Sequence, residues 1–125
     1  MKIIGATEYA VVLYRDKLPK FRNDGKMVFN WMNWERDTKT QQVHPTQKPV
    51  PLLKRLIEIF TDEGDVVIDP CAGSGSTLLA SRQLKRNSYG FEIEKEFYKK
   101  ACCLLDGEDA NAPEQAKKQL SIFDF

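Results

Sequence analysis

With 125 residues, a formal net charge of +1 and acidic and basic side chains interleaved among the 30% of positions that are charged, the chain has the size of one small domain and lacks the one-sided basic balance of a free-standing duplex binder. Its three cysteines, Cys71, Cys102 and Cys103, cannot pair completely and have no metal-ligand spacing, so reduced thiols and no metal are expected. No apolar run approaches the roughly 20 residues that cross a bilayer, and the start Met1-Lys-Ile-Ile-Gly5 has no signal-like form, which gives an expected cytoplasmic location.

In chain order, residues 9–14 (Tyr-Ala-Val-Val-Leu-Tyr) are rich in strand formers and predict a first strand buried on both faces. Residues 15–42 are polar, carry Pro19, Asn23-Asp24-Gly25 and an aromatic cluster from Phe29 to Trp34, and show no sustained period. They predict a long loop with a hairpin turn at Asp24-Gly25, its Trp31 and Trp34 packing over a sheet edge. Next comes His44-Pro-Thr-Gln-Lys-Pro49 at the entrance of a helix, where Leu52, Leu53, Leu56, Ile57, Ile59 and Phe60 fall at helical spacing. His44, the single histidine, is expected to fix that entrance or to touch a cofactor rather than to act as a general base. Val66 to Asp69 is a strand, residues 77–84 a helix, 88–92 a strand and 94–105 a helix with Phe97 turned inward and Lys95 to Lys100 solvated. Strands alternating with helices predict an α/β fold with a parallel sheet.

Between the strand that ends at Asp69 and the helix after it lies Pro70-Cys-Ala-Gly-Ser-Gly75. Its glycines let backbone approach a ligand, and Ser76 and Thr77 are expected to cap the helix. A P-loop needs a lysine followed by Ser or Thr after its last glycine, and here Ser76 follows Gly75 directly. A dinucleotide fingerprint needs a third glycine where Leu78 stands. A ligand with an ammonium and a ribose but no phosphate suits the residues better, Asp69 accepting from the ammonium and Glu92 from the ribose hydroxyls. S-adenosylmethionine has that chemistry.

These segments resemble the bacterial and phage amino-methyltransferases of DNA, specifically those of permuted order in which the cofactor motifs follow the target-recognition region. His44 to Pro49 is similar to their motif X, Asp69 to Gly75 to motif I, Phe91-Glu92 to motif II and Glu8 to Tyr14 to the strand of motif VIII, so that the resemblance covers roughly residues 5 to 104. It implies a partial Rossmann-like, S-adenosylmethionine-dependent methyltransferase fold in residues 1–105, followed by a polar linker and apolar tail in 106–125. It further implies that Thr46 and Lys48 contact the methionine end of the cofactor, that Asp69 and the loop Cys71, Ala72, Gly73, Ser74 and Gly75 contact its amino group and sulfur region, that Glu92 holds the ribose, and that His44 and Phe91 also belong to the cofactor site. The family's base-binding motif, a polar residue followed by Pro-Pro and an aromatic, is absent, since the sequence contains no Pro-Pro pair.

The resemblance therefore predicts the cofactor-binding half of an enzyme that methylates the exocyclic amine of adenine at N6 in DNA, inactive without an N-terminal half. The alternatives are the same scaffold for cytosine N4, or a non-catalytic remnant that binds S-adenosylmethionine or the bacterial sliding clamp; permuted motif order speaks against a small-molecule methyltransferase. Without the base-binding strand, the strand ending at Asp69 is expected to expose an apolar edge that recruits a partner polypeptide or a second copy, or that residues 9–14 fill. Finally, Gln119, Leu120, Ile122 and Phe123 resemble the short peptide with which bacterial replication and repair proteins dock on the sliding clamp; the structural alternative is that Ile122 and Phe123 fold back on the core.

Overall fold

Two short strands on either side of one helix form a parallel pair, the helix supplying the crossover that a hairpin turn cannot. The computed structural model describes residues 7–17, 21–109 and 120–123. Its elements are α1 (Val50–Phe60), β1 (Val66–Asp69), α2 (Ser76–Gln83), β2 (Asn87–Phe91), α3 (Lys95–Asp109) and β3 (Leu120–Phe123). β1 and β2 run parallel with Val66 opposite Asn87 and Asp69 opposite Gly90. The backbone of β3 adds, also parallel, to the other side of β2, with Ser88 opposite Leu120 and Phe91 opposite Phe123.

One face of this sheet is covered. Val50 and Ile57 of α1, Leu78, Leu79 and Ala80 of α2, and Leu104 and Leu105 of α3 form the buried core, with Val67 of β1 packed against it. Gly90 permits the close contact of α2 with β2: a Cβ there would lie 2.7 Å from Leu78 Cδ1 and 3.0 Å from Ala72 Cβ. The opposite face carries Val66 and Ile68, which remain 54% and 63% exposed, beside the exposed Tyr89. In the strand order β1-β2-β3, β1 stands at the margin. Among the described residues, the strand ending at Asp69 thus has the open edge expected of it, and an uncovered apolar face besides.

Residues 9–14 correct the sequence expectation. They form no strand, and Tyr9, Val11 and Leu13 are more than four-fifths exposed. Strand preference reflects packing against neighbours more than an intrinsic backbone bias, and no described strand pairs with this segment. The long loop behaves as read in one respect: Asp24 and Gly25 both take positive φ, 49° and 73°, and the Lys26 N–H closes the turn on the Asn23 carbonyl at 2.8 Å. Among the described residues no strands flank it, so it is a turn without a hairpin. Instead it leans on α1, where Arg55 donates to Asn23 Oδ1 and Phe21 meets Phe60 edge to face at 5.4 Å.

Two boundaries also move. α2 begins at Ser76, with Gly75 as its left-handed N-cap (φ 76°) and no side-chain cap. The expected Ser76 and Thr77 cap is absent because these residues already lie inside the helix. α3 continues to Asp109, beyond the end expected at Leu105. The remainder of the linker, Pro19 and Gln119 lie outside the described residues. No helix among the described residues is long and apolar enough to cross a membrane.

Candidate functional site

In a parallel sheet the strand ends and the loops that follow them open on one side, where ligands commonly sit. Asp69 ends β1 and Phe91 ends β2, so the two acids Asp69 and Glu92 emerge side by side. Asp69 Oδ1 accepts the Cys71 N–H at 3.0 Å, holding the first bend of the glycine loop. The loop is then tied to β2 twice: the Ala72 N–H donates to the Phe91 carbonyl at 2.8 Å, and the Gly73 N–H donates to Glu92 Oε2 at 2.8 Å. Glu92 Oε1 accepts the Glu94 N–H, also at 2.8 Å. A carboxylate offers about four acceptor positions, so these contacts leave Glu92 capacity for ligand hydroxyls. Ser74 and Ser76, both buried, share a hydroxyl contact of 2.7 Å across the loop.

The wall facing this loop comes from the segment that enters α1. His44 packs its ring on Phe97 at a centroid distance of 4.1 Å, and its Nδ1 accepts the Thr46 N–H at 3.2 Å. Gln47 organises the interior of the segment. Its Oε1 accepts the Val43 N–H and its Nε2 donates to the Gln41 carbonyl, each at 2.9 Å. Lys48 pairs with Glu8 and places its ammonium 5.0 Å from the Trp34 ring centroid. Through that pair residues near 8 are moored to the site although they form no strand.

The base of the segment is held by Asp37. Oδ1 accepts the N–H groups of Lys39 and Thr40 at 2.9 and 3.0 Å, and Oδ2 accepts the Val50 N–H at 3.1 Å. Desolvation pushes the Asp37 carboxyl upward, but its hydrogen bonds with Thr40, Lys39 and Val50 together outweigh that and hold its pKa below the ordinary aspartate value.

These walls enclose a cavity of about 280 Å³ lined by His44, Thr46, Gln47, Lys48, Leu53, Asp69, Cys71, Ala72, Gly73, Ser74, Ser76, Thr77 and Glu92. Of the residues read from sequence, His44, Thr46, Lys48, Asp69, Cys71, Ala72, Gly73, Ser74 and Glu92 converge there. Two do not line it. Gly75 faces α3, where an added Cβ would meet Ala101 Cβ at 3.2 Å, and the contribution of Phe91 is its carbonyl. Sequence reasoning missed Gln47, Leu53, Ser76 and Thr77 in the lining, and Asp37 and Glu8 behind it. Gln47 was visible as a member of the first motif and Ser76 as the residue directly after the second, whereas Asp37 and Glu8 act across gaps in sequence that carry no local pattern.

The family model for DNA methylases, N6_N4_Mtase, matches residues 8–102. The chain belongs to this family. Type II methyltransferase M2.DpnII of Streptococcus pneumoniae is 38% identical over 99 residues, covering 77% of this chain and 37% of the relative. DNA adenine methyltransferase YhdJ of Escherichia coli (strain K12) is 33% identical over 115 residues, covering 90% of this chain and 39% of the relative. Among solved structures, the M1.HpyAVI-SAM complex aligns with a TM-score of 0.58 and 36% identity over 69% of this chain and 43% of that one. The TTHA0409 protein of Thermus thermophilus, complexed with S-adenosyl-L-methionine, gives 0.51 and 30% identity over 62% of this chain and 30% of that one. The expected amino-methyltransferase family and α/β methyltransferase fold therefore hold. The chain spans 37% and 39% of the length of the two curated relatives.

Proposed function

We propose that the chain is the S-adenosylmethionine-binding part of a DNA amino-methyltransferase of permuted motif order, acting on adenine N6 together with a further polypeptide segment. The observation that carries this reading is the convergence of three sequence-separated segments, His44 to Lys48, Asp69 to Ser74, and Glu92, on one cavity. Its chemistry fits the cofactor. Two carboxylates supply acceptors for an ammonium and for ribose hydroxyls, and the glycine loop opens a backbone wall with no lysine of the kind that pairs with a phosphate. S-adenosylmethionine supplies an electrophilic methyl group when bound. At about 280 Å³ the cavity falls just below the usual range for small-molecule sites, about 300 to 1,000 Å³, in keeping with a site whose remaining walls come from elsewhere.

What this chain's own residues do is bind and aim. Amine methylation requires in-line placement more than proton abstraction before attack. Asp69 and Glu92 fix the two ends of the ligand, Thr46 and Lys48 close the side, and the Pro-Pro-aromatic element that would hold a flipped base is not in the sequence. The adenine assignment draws support from the YhdJ relative, a DNA adenine methyltransferase matched over 90% of this chain; cytosine N4 is the alternative. The open edge of β1 is where we place the complementing segment or a second copy. The clamp-like tail around Leu120, Ile122 and Phe123 is proposed as a second docking element. Its backbone pairing with β2 would have to open first.

Calorimetric titration of the chain with S-adenosylmethionine, beside Asp69→Ala, tests the reading. Micromolar binding lost in the variant is expected; equal affinity in both chains would remove Asp69 from the site and with it the assignment.

A further inference from the structure

α1 begins with a local defect. Its N-cap is Pro49, which offers no side-chain hydrogen bond, its first turn contains no acidic residue, and prolines occupy positions 49 and 51. The N–H of Val50, the first helical residue, thus has no acceptor from its own neighbourhood, and the positive end of the helix has no local counter-charge. Both are supplied by the Asp37 carboxylate, thirteen positions upstream, which takes the Val50 N–H at 3.1 Å. The same carboxylate binds the Lys39 and Thr40 N–H groups through its other oxygen, so one side chain fastens the two ends of the segment 37–50 together. Inside that closed segment the Gln47 amide holds Gln41 and Val43, and its remaining functional groups, His44, Thr46 and Lys48, face the cavity.

We propose that Asp37 is a positioning residue of the cofactor site: by joining the start of α1 to residues 39 and 40, it sets the wall formed by Thr46 and Lys48 at its working distance from Asp69 and Glu92. The proposal rests on the cofactor reading given above for the functional consequence, and on the closed segment alone for the structural one. Asp37 does not line the cavity and acts through Val50 and the loop. Loss of a hydrogen bond to a charged group shifts an equilibrium by about ten- to a hundredfold.

The experiment compares the full chain with Asp37→Ala, Asp37→Ser and Asp37→Asn. Serine and asparagine each keep one acceptor oxygen for the local turn, but neither has a second acceptor for the Val50 N–H, the other group of the asparagine amide being a donor. Two readouts are taken: S-adenosylmethionine affinity by calorimetry, and the proton resonances of His44, the single histidine, whose ring lies against Phe97 and is displaced by its ring current. All three variants are expected to weaken binding about tenfold or more and to move the His44 resonances toward free histidine, serine and asparagine less than alanine. Wild-type affinity and unchanged His44 resonances in the serine variant would overturn the proposal. If the wild-type chain does not bind S-adenosylmethionine, the cofactor reading fails, while the His44 resonances of the same variants still decide whether Asp37 sets the segment. If alanine prevents folding, the serine and asparagine pair carries the decision.

Discussion

The Glu92 carboxylate takes the Gly73 N–H at 2.8 Å, so the acid read from sequence as a ribose ligand is also the fastening of the glycine loop. Its other oxygen takes the Glu94 N–H, which leads into α3. Ligand recognition and loop geometry are thereby joined in one side chain.

Glu92→Ala should therefore do two things at once. It leaves two partly exposed N–H groups without their acceptor, a loss of about 1 kcal/mol at the low end of the unsatisfied-donor range, and it abolishes detectable S-adenosylmethionine binding. Urea unfolding and calorimetry on the same preparation check both. Glu92→Gln, which retains one acceptor oxygen, should recover more stability than affinity; full affinity in either variant would show that Glu92 does not meet the ligand.

Gly90→Ala tests the seat of α2. The new methyl group would arrive 2.7 Å from Leu78 Cδ1 and 3.0 Å from Ala72 Cβ, and Leu78 is fully buried. Overpacking of this kind costs about 1–3 kcal/mol, a fall in melting temperature of roughly 4–8 °C for each kcal/mol in a domain of this size. A melting temperature equal to wild type would mean that α2 has room to move off the sheet.

Acid should loosen the segment 37–50 through Asp37. Its pKa in the folded chain is lowered, against an unfolded value of about 3.9. The stability it contributes is accordingly present above about pH 3.9 and disappears as pH falls through the lower folded-state value. Asp37 is half-buried, so solvent screens these bonds only in part. Urea midpoints at about pH 6 and about pH 3 should fall further for wild type than for Asp37→Asn, all other carboxylates being common to both; parallel falls would contradict the bond to Val50.

Val66 and Ile68 together expose an apolar face on the marginal strand. The chain alone should associate with increasing concentration, and Ile68→Lys, a charge of the sort that natural sheet edges carry, should shift it toward monomer in sedimentation velocity. A monomer at all concentrations would remove the second-copy option and leave the complementing polypeptide.

The elements legible in the sequence were those with a local signature. β1, α2, β2 and α3 were found by apolar runs and helical period, and the cavity by Asp69, the glycines and Glu92, because each of these carries its meaning within a few neighbours. Residues 9–14 misled because Val11, Val12 and Tyr14 have strand-forming side chains, while a strand also needs a neighbour to bond. The cap at Ser76 was misplaced by one residue because Gly75, free of a Cβ, adopts the left-handed turn itself. Asp37 and Glu8 were silent since their partners, Val50 and Lys48, are distant in sequence and nothing in a run of letters marks such a meeting.

The position of Trp34 has a practical consequence. The chain has two tryptophans, both in the stretch leading into the site, and one of them has the Lys48 ammonium over its ring. A cation held over an indole changes its emission, so withdrawal of Lys48 toward an incoming ligand should register as a change in the protein's own fluorescence. Fast mixing could then time the closing of the site with no label attached, with Trp31→Phe isolating the reporting ring.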